Sequence, residues 1–565
     1  MFGEKRRTPS SNVLKHATAK DFSGGLNTSD SPLNLSSKYS IDLRNMYPES
    51  NGRLKLRYGT TLFASLPSEQ TIVNMEYYSG VLVVVTAQGR VYTVNDAGVA
   101  TQRTFTPAWT ASPVTEVNFS QFGGNLLICN GVDQPLKMVP SLTVSYLIDA
   151  GTGSTAHVPR AKFMCTHNNY NVAAGILNEP STLSISSKGT DGTFVGATPP
   201  NDGVAINLAT YINVGDPAIT GIVSFRDQLI VTFEQTILSV KLGTYNGNDH
   251  TPIVEDVIEN VGALSHRSIV ALGDDVVFQD LAGVSSVKRA LITATLSPVR
   301  ESSIIADRVN LATDNLSVSV LSKNAFAVHD RIESQVLFFV PKANPVVADT
   351  DNNVFVYSFN VGQRYRSFSY FDEMPYRCGC RTQENRIFFG SGNKLYRYQS
   401  KFEPLYGDKR TGVADNTAIP TPFRIETPWT DLRDPMNAKL ARYLQVLAEG
   451  SASFTIDMYV DRQDSEPDLS IDLYAADTPT LVPQTLWYWV DALGQWTWTN
   501  DTGLWEDDDL IRSRPAISEQ LYAWPTKFKR AKFVISGAAN TGLKLAAERP
   551  LLGSGVSYQV FSRTL

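Results

Sequence analysis

Residues 80–94 read GVLVVVTAQGRVYTV: an apolar run from Val81 to Val85, a tight polar turn through Ala87, Gln88 and Gly89, and a second strand that alternates to Val94. The same grammar returns six times. It is found in GGNLLICNGVDQPLKMV from Gly123, NNYNVAAGILNEPSTLSIS from Asn168, RDQLIVTFEQTILSV from Arg226 and GDDVVFQDLAGVSSV from Gly273. ESQVLFFV from Glu333 and ENRIFFGSGNKLYRY from Glu384 complete the set, and successive starts lie 43–60 residues apart. A small antiparallel sheet repeated at that interval predicts a β-propeller of six or seven blades. Runs such as Val81–Val85 and Val336–Val340 are apolar at every position, as expected of inner blade strands covered on both faces by neighbouring blades.

Outside the repeats, composition narrows the field. At 565 residues the chain exceeds one compact core. Aromatic content of 10%, with 38 Gly and 29 Pro, suits strands and turns. A net charge of −6 argues against a surface devoted to neutralising phosphates. No run of about 18 apolar residues is present and the N-terminus lacks the apolar core of a secretory signal, so a protein made and kept in the cytoplasm, without a membrane span, is expected. Four cysteines do not make a disulfide framework. Cys129 reads as a buried strand thiol, and Cys378 and Cys380 share one strand face without a histidine to complete a metal set.

The domain boundaries expected from punctuation are a flexible basic tail over 1–20, an arm over 21–65, the propeller over 66–405, a linker over 406–422 and a β-rich domain over 423–565. Within the arm, Ser36-Ser37 could cap one helical turn, while Leu54, Leu56 and Tyr58 alternate as a strand. In the last domain, Tyr443–Val446 is expected to pair with Thr455–Val460 as a meander, with further strands at Phe533–Ser536, Leu543–Ala546 and Val556–Phe561. The fold class is therefore all-β: a propeller plus a β-sandwich-like platform built from N- and C-terminal segments. An insert over 486–509 carries Trp487, Trp489, Trp496, Trp498 and Trp505, too many for the core of one small sheet. Beside the acidic run Glu506–Asp509 it reads as a subunit or partner interface, with sugar stacking as the other use of such a set.

No catalytic signature is present: neither a phosphate-binding loop, nor a dinucleotide fingerprint, nor HExxH, nor a Gly-x-Ser-x-Gly elbow. The six histidines (His16, His157, His167, His250, His266, His329) have no metal-binding spacing. Asp351-Asn352-Asn353 resembles part of a calcium loop but lacks its Gly and terminal Glu, and reads as a polar turn. No enzyme, cofactor or metal is expected.

The arm carries a resemblance. Gly24-Gly25-Leu26-Asn27, then Asp30-Ser31-Pro32-Leu33, then Asp42-Leu43-Arg44-Asn45-Met46-Tyr47-Pro48 and Leu54-Lys55-Leu56-Arg57-Tyr58-Gly59 follow one another in order. This is similar to the opening of the tail nozzle, or tail tubular, proteins of short-tailed bacteriophages, a group that includes propeller-bearing tail hub and stabilisation proteins. The motif residues carried over are Gly24, Gly25, Asn27, Pro32, Asn45, Pro48 and Gly59; Ser40 stands where the family often has a smaller residue such as Ala. The resemblance implies a virion tail protein that forms a homohexameric ring below the head-to-tail adaptor. Tail fibres or spikes would dock outside it, and double-stranded DNA would pass through without specific binding. A wall that lets a polyanion slide should not hold it, so a neutral-to-acidic lumen, partly lined by carboxylates of the C-terminal domain, is expected. A host-receptor or glycan-binding propeller and a propeller hydrolase are the other two readings. For the hydrolase the sequence offers no way to choose a carboxylate pair.

Overall fold

The computed structural model describes residues 15–19, 21–49 and 52–401, except 112, 150–152, 154–157, 195–202, 213–216, 246–247, 274, 290–295, 315, 343–351 and 360–365. Beyond these it describes 407–408, 419–430, 439–449, 452–461, 466–467, 469–475, 486–489, 496–499, 517–521, 529–539, 544–545 and 558–564.

Each repeat is the centre of one blade. Seven antiparallel four-stranded units follow one another: blade 1 over 72–103, blade 2 over 118–146, blade 3 over 161–207, blade 4 over 221–259, blade 5 over 270–300, blade 6 over 326–371 and blade 7 over 378–398. The seven repeat starts all fall in the turn between the first and second strands, where residues with positive φ recur: Ser79 and Gly80, Gly123 and Gly124, Asn168 and Asn169, Arg226, Gly273, Ser334 and Asn385. Turns of this hand match the twist of the paired strands, which is why Gly and Asn mark them. The fully apolar runs are the second strands rather than the innermost ones. A second strand has a partner strand on either side and a neighbouring blade over each face, so it is the most enclosed part of the blade.

Its alternation closes the ring. In blade 2, Leu126 and Ile128 pack with Val83 and Val85 of blade 1, while Leu127 and Cys129 pack with Met164 and Ala173 of blade 3. Equivalent seams join blades 3 and 4 through Val172 and Leu229, 4 and 5 through Ile230 and Phe278, and 5 and 6 through Val277 and Phe338. Leu337 and Phe389 join blades 6 and 7, and Phe388 and Leu82 join blade 7 back to blade 1. Seven sheets with seven seams make a closed seven-bladed propeller.

The closing strand comes from upstream. Thr60–Ser65 pairs antiparallel with Lys394–Tyr398 as the outermost strand of blade 7, so the propeller begins at Thr60 and not at residue 66. Borrowing this strand ties the two ends of the ring together without a covalent link.

Blade 6 does not end at its fourth strand. Arg366–Phe371 continues into Asp42–Arg44, Thr421–Glu426, Ala531–Ala539, Ala452–Val460 and Leu469–Ala475, giving one eleven-stranded sheet when Gly25–Leu26 and Tyr39–Ser40 are included. A second, seven-stranded sheet holds Lys15–Ala19, Tyr558–Thr564, Lys439–Glu449, Lys544–Leu545, Leu54–Leu56 and Met46–Pro48, with Ile517–Leu521 alongside. Leu54 and Leu56 share a core with Phe423, Ile425, Phe454 and Ile535, so the two sheets form the sandwich-like platform from N- and C-terminal segments.

Five sequence expectations need correction. Lys15–Ala19, placed in a flexible tail, is a strand paired with Tyr558–Thr564; the rest of 1–20 lies outside the described residues. No helical turn follows Ser36-Ser37, because Tyr39–Ser40 is drawn into parallel pairing with Gly25–Leu26. Asn352 is no turn residue: it opens the strand Asn352–Phe359 and its amide donates to the carbonyls of Met374 and Tyr376, 2.7 Å each. Lys439–Glu449 and Ala452–Val460 lie in different sheets, since each finds partners elsewhere, at Tyr558–Thr564 and Ala531–Ala539. The 406–422 linker contains a buried Asp408 bridged to Ile419 and the start of the strand Thr421–Glu426.

Candidate functional site

The arm motif lies between blade 6 and the platform, and its residues are chosen by that position. Gly25 has φ +68°, and a Cβ there would lie 2.5 Å from the Phe368 carbonyl oxygen; at Gly24 it would meet the Tyr39 ring at 2.6 Å. Asn27 is buried, its amide bonded to Asp30 Oδ2 at 2.9 Å while its Oδ1 accepts the Asp30 amide at 3.1 Å. Pro32 offers its carbonyl to Trp429 N at 3.1 Å, and Pro48 pairs with Leu54 across the hairpin of the second sheet. A Cβ at Gly59 would fall 1.8 Å from Gly407 O.

Asn45 is the node. It is buried with φ 55°, a conformation that Asn tolerates better than most residues. Its Nδ2 donates to Pro422 O at 2.7 Å, and its Oδ1 accepts from Arg57 Nε at 3.1 Å and the Asp372 amide at 2.8 Å. One side chain thus touches the C-terminal sheet, the closing arm and the end of blade 6.

Arg57 carries the chain from that node into the ring. It is fully buried and forks onto Asp408, Nη2 to Oδ2 at 2.9 Å and Nη1 to Oδ1 at 3.3 Å. Burial alone would lower its pKa, but the Asp408 charge and hydrogen bonds raise it further. Asp408 also receives the Thr60 amide at 3.0 Å and the Thr60 hydroxyl at 2.9 Å, just where the closing strand begins. Nearby, Lys55 meets Tyr58 and Glu333, its Nζ 3.2 Å from Glu333 Oε1. This is a polar latch at the point where the ring shuts.

The tryptophan insert yields one described element. Leu486–Trp489 and Trp496–Thr499 form a two-stranded antiparallel sheet in which Trp487 is opposite Trp498 and Trp489 opposite Trp496. That register puts four tryptophan positions on one face. Among the described residues this hairpin pairs with no other strand. Trp505 lies outside the described residues.

At the propeller axis, Arg267 reaches across the ring. Its Nη1 donates to Val73 O and Arg377 O at 3.4 Å each, and its Nη2 to Lys323 O. Neighbouring His266 turns the other way, its Nδ1 accepting the Ile222 amide at 3.3 Å. Around blades 6 and 7, Asp330, Glu384, Arg386 and Arg397 edge a recess of about 210 Å³. Burial is the main cause that pushes the Asp330 carboxyl up to about 6. Sequence reasoning missed Arg267 and Asp408; neither carries a local motif. Among the described residues, no group of three or more His, Cys, Asp or Glu could hold a metal ion, and no helix is long and apolar enough to cross a membrane.

No family model matches the chain, and no curated protein does. Among solved structures, it is similar to a streptogramin B lyase, with TM-score 0.37 and 10% identity over 61% of this chain and 98% of that one. It is also similar to a chain from a mitotic checkpoint complex, with TM-score 0.36 and 10% identity over 64% of this chain and 96% of that one.

Proposed function

We propose that the protein is a structural component of a short-tailed phage tail, a nozzle-type subunit that closes into a homohexameric ring beneath the adaptor. The reading rests on the arm resemblance, and one observation carries it further. Two of the motif residues, Gly25 against Phe368 and Asn45 between Pro422 and Asp372, sit where blade 6 continues into the eleven-stranded sheet that joins propeller to platform. A propeller fused to a platform through a shared sheet resists bending at the junction, as a load-transmitting subunit requires. The tryptophan hairpin suits one of the two different faces that a closed ring needs. Among the described residues the hairpin pairs with no other strand, and a two-stranded sheet by itself is marginal in water, so a neighbouring subunit is the partner proposed for it. The net charge of −6 fits a channel that passes DNA without retaining it. Fibres or spikes would dock outside, and the assembled protein would reside in the virion tail.

The test is mass measurement by light scattering and negative-stain imaging, with and without the adaptor. A six-fold ring is expected, and Trp496→Ala with Trp498→Ala should leave a folded monomer that no longer assembles. A wild-type chain that stays monomeric beside its adaptor would overturn the reading; normal rings from the double variant would remove the hairpin from it.

A further inference from the structure

Beside the polar turn at His266–Ser268, the inner strands of blades 2, 3 and 4 line an open recess of about 330 Å³. We propose that this recess is a binding site for a small neutral molecule, aromatic or aliphatic, that presents one hydrogen-bond-accepting oxygen to His266.

The size is that of a small-ligand pocket. Its apolar lining comes from Phe119, Met164, Ile222, Val223 and Ile269 and its uncharged polar lining from Ser120, Gln121 and Thr166, and no Asp, Glu, Lys or Arg lines it. A charged guest would lose its hydration with no counter-charge in return, which selects a neutral one. The polar anchor is defined by the backbone. His266 Nδ1 accepts the Ile222 amide, so in the neutral ring the proton sits on Nε2. Burial, and after it the charge of Arg267, pushes this histidine down to about 4, keeping the ring neutral at physiological pH. Among the described residues Nε2 has no hydrogen-bond partner, and it is not one of the enclosed unsatisfied atoms, so it is open to a guest. A recess of mixed apolar and uncharged polar lining, with the His266 Nε2–H group as a donor, is the complement of a neutral molecule that carries a carbonyl or ether oxygen.

The recess also contains its own reporter. Cys165 lines it and is half-buried, whereas Cys129, Cys378 and Cys380 are buried. Burial pushes the Cys165 thiol up to about 11, so alkylation is slow and protection is easily timed.

The experiment follows N-ethylmaleimide modification of Cys165 in the full-length protein by peptide mass mapping, with three isosteric probes: acetophenone, ethylbenzene and benzylammonium. Acetophenone at millimolar concentration should slow modification saturably, about five-fold, because an occupied site protects in proportion to its occupancy. Ethylbenzene, lacking the oxygen, and benzylammonium, carrying the charge, should each protect less than about two-fold. His266→Phe should bring acetophenone down to the level of ethylbenzene. If that variant does not fold, the wild-type series alone decides. Equal rates with and without acetophenone, or equal protection by acetophenone and either of the other two probes, would overturn the proposal.

Discussion

In the seams between blades, Leu127, Val231, Phe338 and Phe389 are wholly buried among apolar neighbours; in the latch between arm and ring, Asn45, Arg57 and Asp408 are just as deeply buried, and their contacts are hydrogen bonds and one ion pair. The two regions join segments distant in sequence by different physics. Apolar packing asks for the right volume and is forgiving of identity. A buried ion pair is unforgiving, since either half alone is a desolvated charge. The ring can be built seven times from varied sequences for that reason, whereas the latch is built once from residues that each hold several specific partners.

The sharpest way to break this contrast is at Asp408. Asp408→Ala strands the Arg57 guanidinium in the interior and should cost about 3–5 kcal/mol, read as a lowered urea midpoint with unchanged slope. Replacing both partners, Arg57→Met with Asp408→Leu, should recover most of that loss. Arg57→Lys should not be conservative, because a single ammonium cannot serve Asp408 and Asn45 at once. If Asp408→Ala unfolds like the wild type, the latch is ornamental and the seams alone close the ring.

The seams answer with a smaller effect and a different tolerance. Leu127→Ala opens a cavity between blades 2 and 3 and should cost about 2–4 kcal/mol, whereas Leu127→Met should cost under about 1.5 kcal/mol. Chemical denaturation of both variants checks it. A Met variant as damaging as the Ala one would mean that seams demand shape as strictly as the latch demands partners.

This contrast also explains what could be read from the sequence. The seven repeats were legible because each second strand carries a buried apolar run and each preceding turn has a residue at positive φ, and both demands are local. Asp408 lies in GDKRTGV, which reads as a linker, because its role depends on Arg57 and Thr60 from the other end of the ring. Thr60–Ser65 reads as any strand; only Lys394–Tyr398 makes it the closing one. The arm motif singled out a stretch by its order of residues, but it could not say that Asn45 would hold Pro422, Arg57 and Asp372 together. The tryptophan cluster was visible as composition, whereas composition does not show which tryptophans stand opposite one another across the strand pair.

A third, finer comparison lies at Asp330, on the rim where ring and latch meet. Its Oδ1 accepts the amides of Ile332 at 2.9 Å and Glu333 at 3.2 Å, bonds that favour the ionised form. Burial outweighs them, helped by the nearby Glu333 charge, and the carboxyl is pushed up to about 6 against an ordinary 3.8. Between those values the unfolded chain has released the proton and the folded chain still holds it. Raising the pH through about 4 to 6 therefore withdraws stability, and above 6 the full penalty, about 3 kcal/mol, is present. Asp330→Asn keeps an oxygen for both amides and has nothing to titrate. It should match the wild type near pH 4 and exceed it by about 3 kcal/mol at pH 8. Taking the difference between the two proteins at each pH cancels the other carboxylates, provided they do not couple to this one. A difference that stays constant from pH 4 to 8 would show that Asp330 is already ionised in the folded ring, and that this rim belongs with the latch, whose charges are held, and not with the seams, which exclude them.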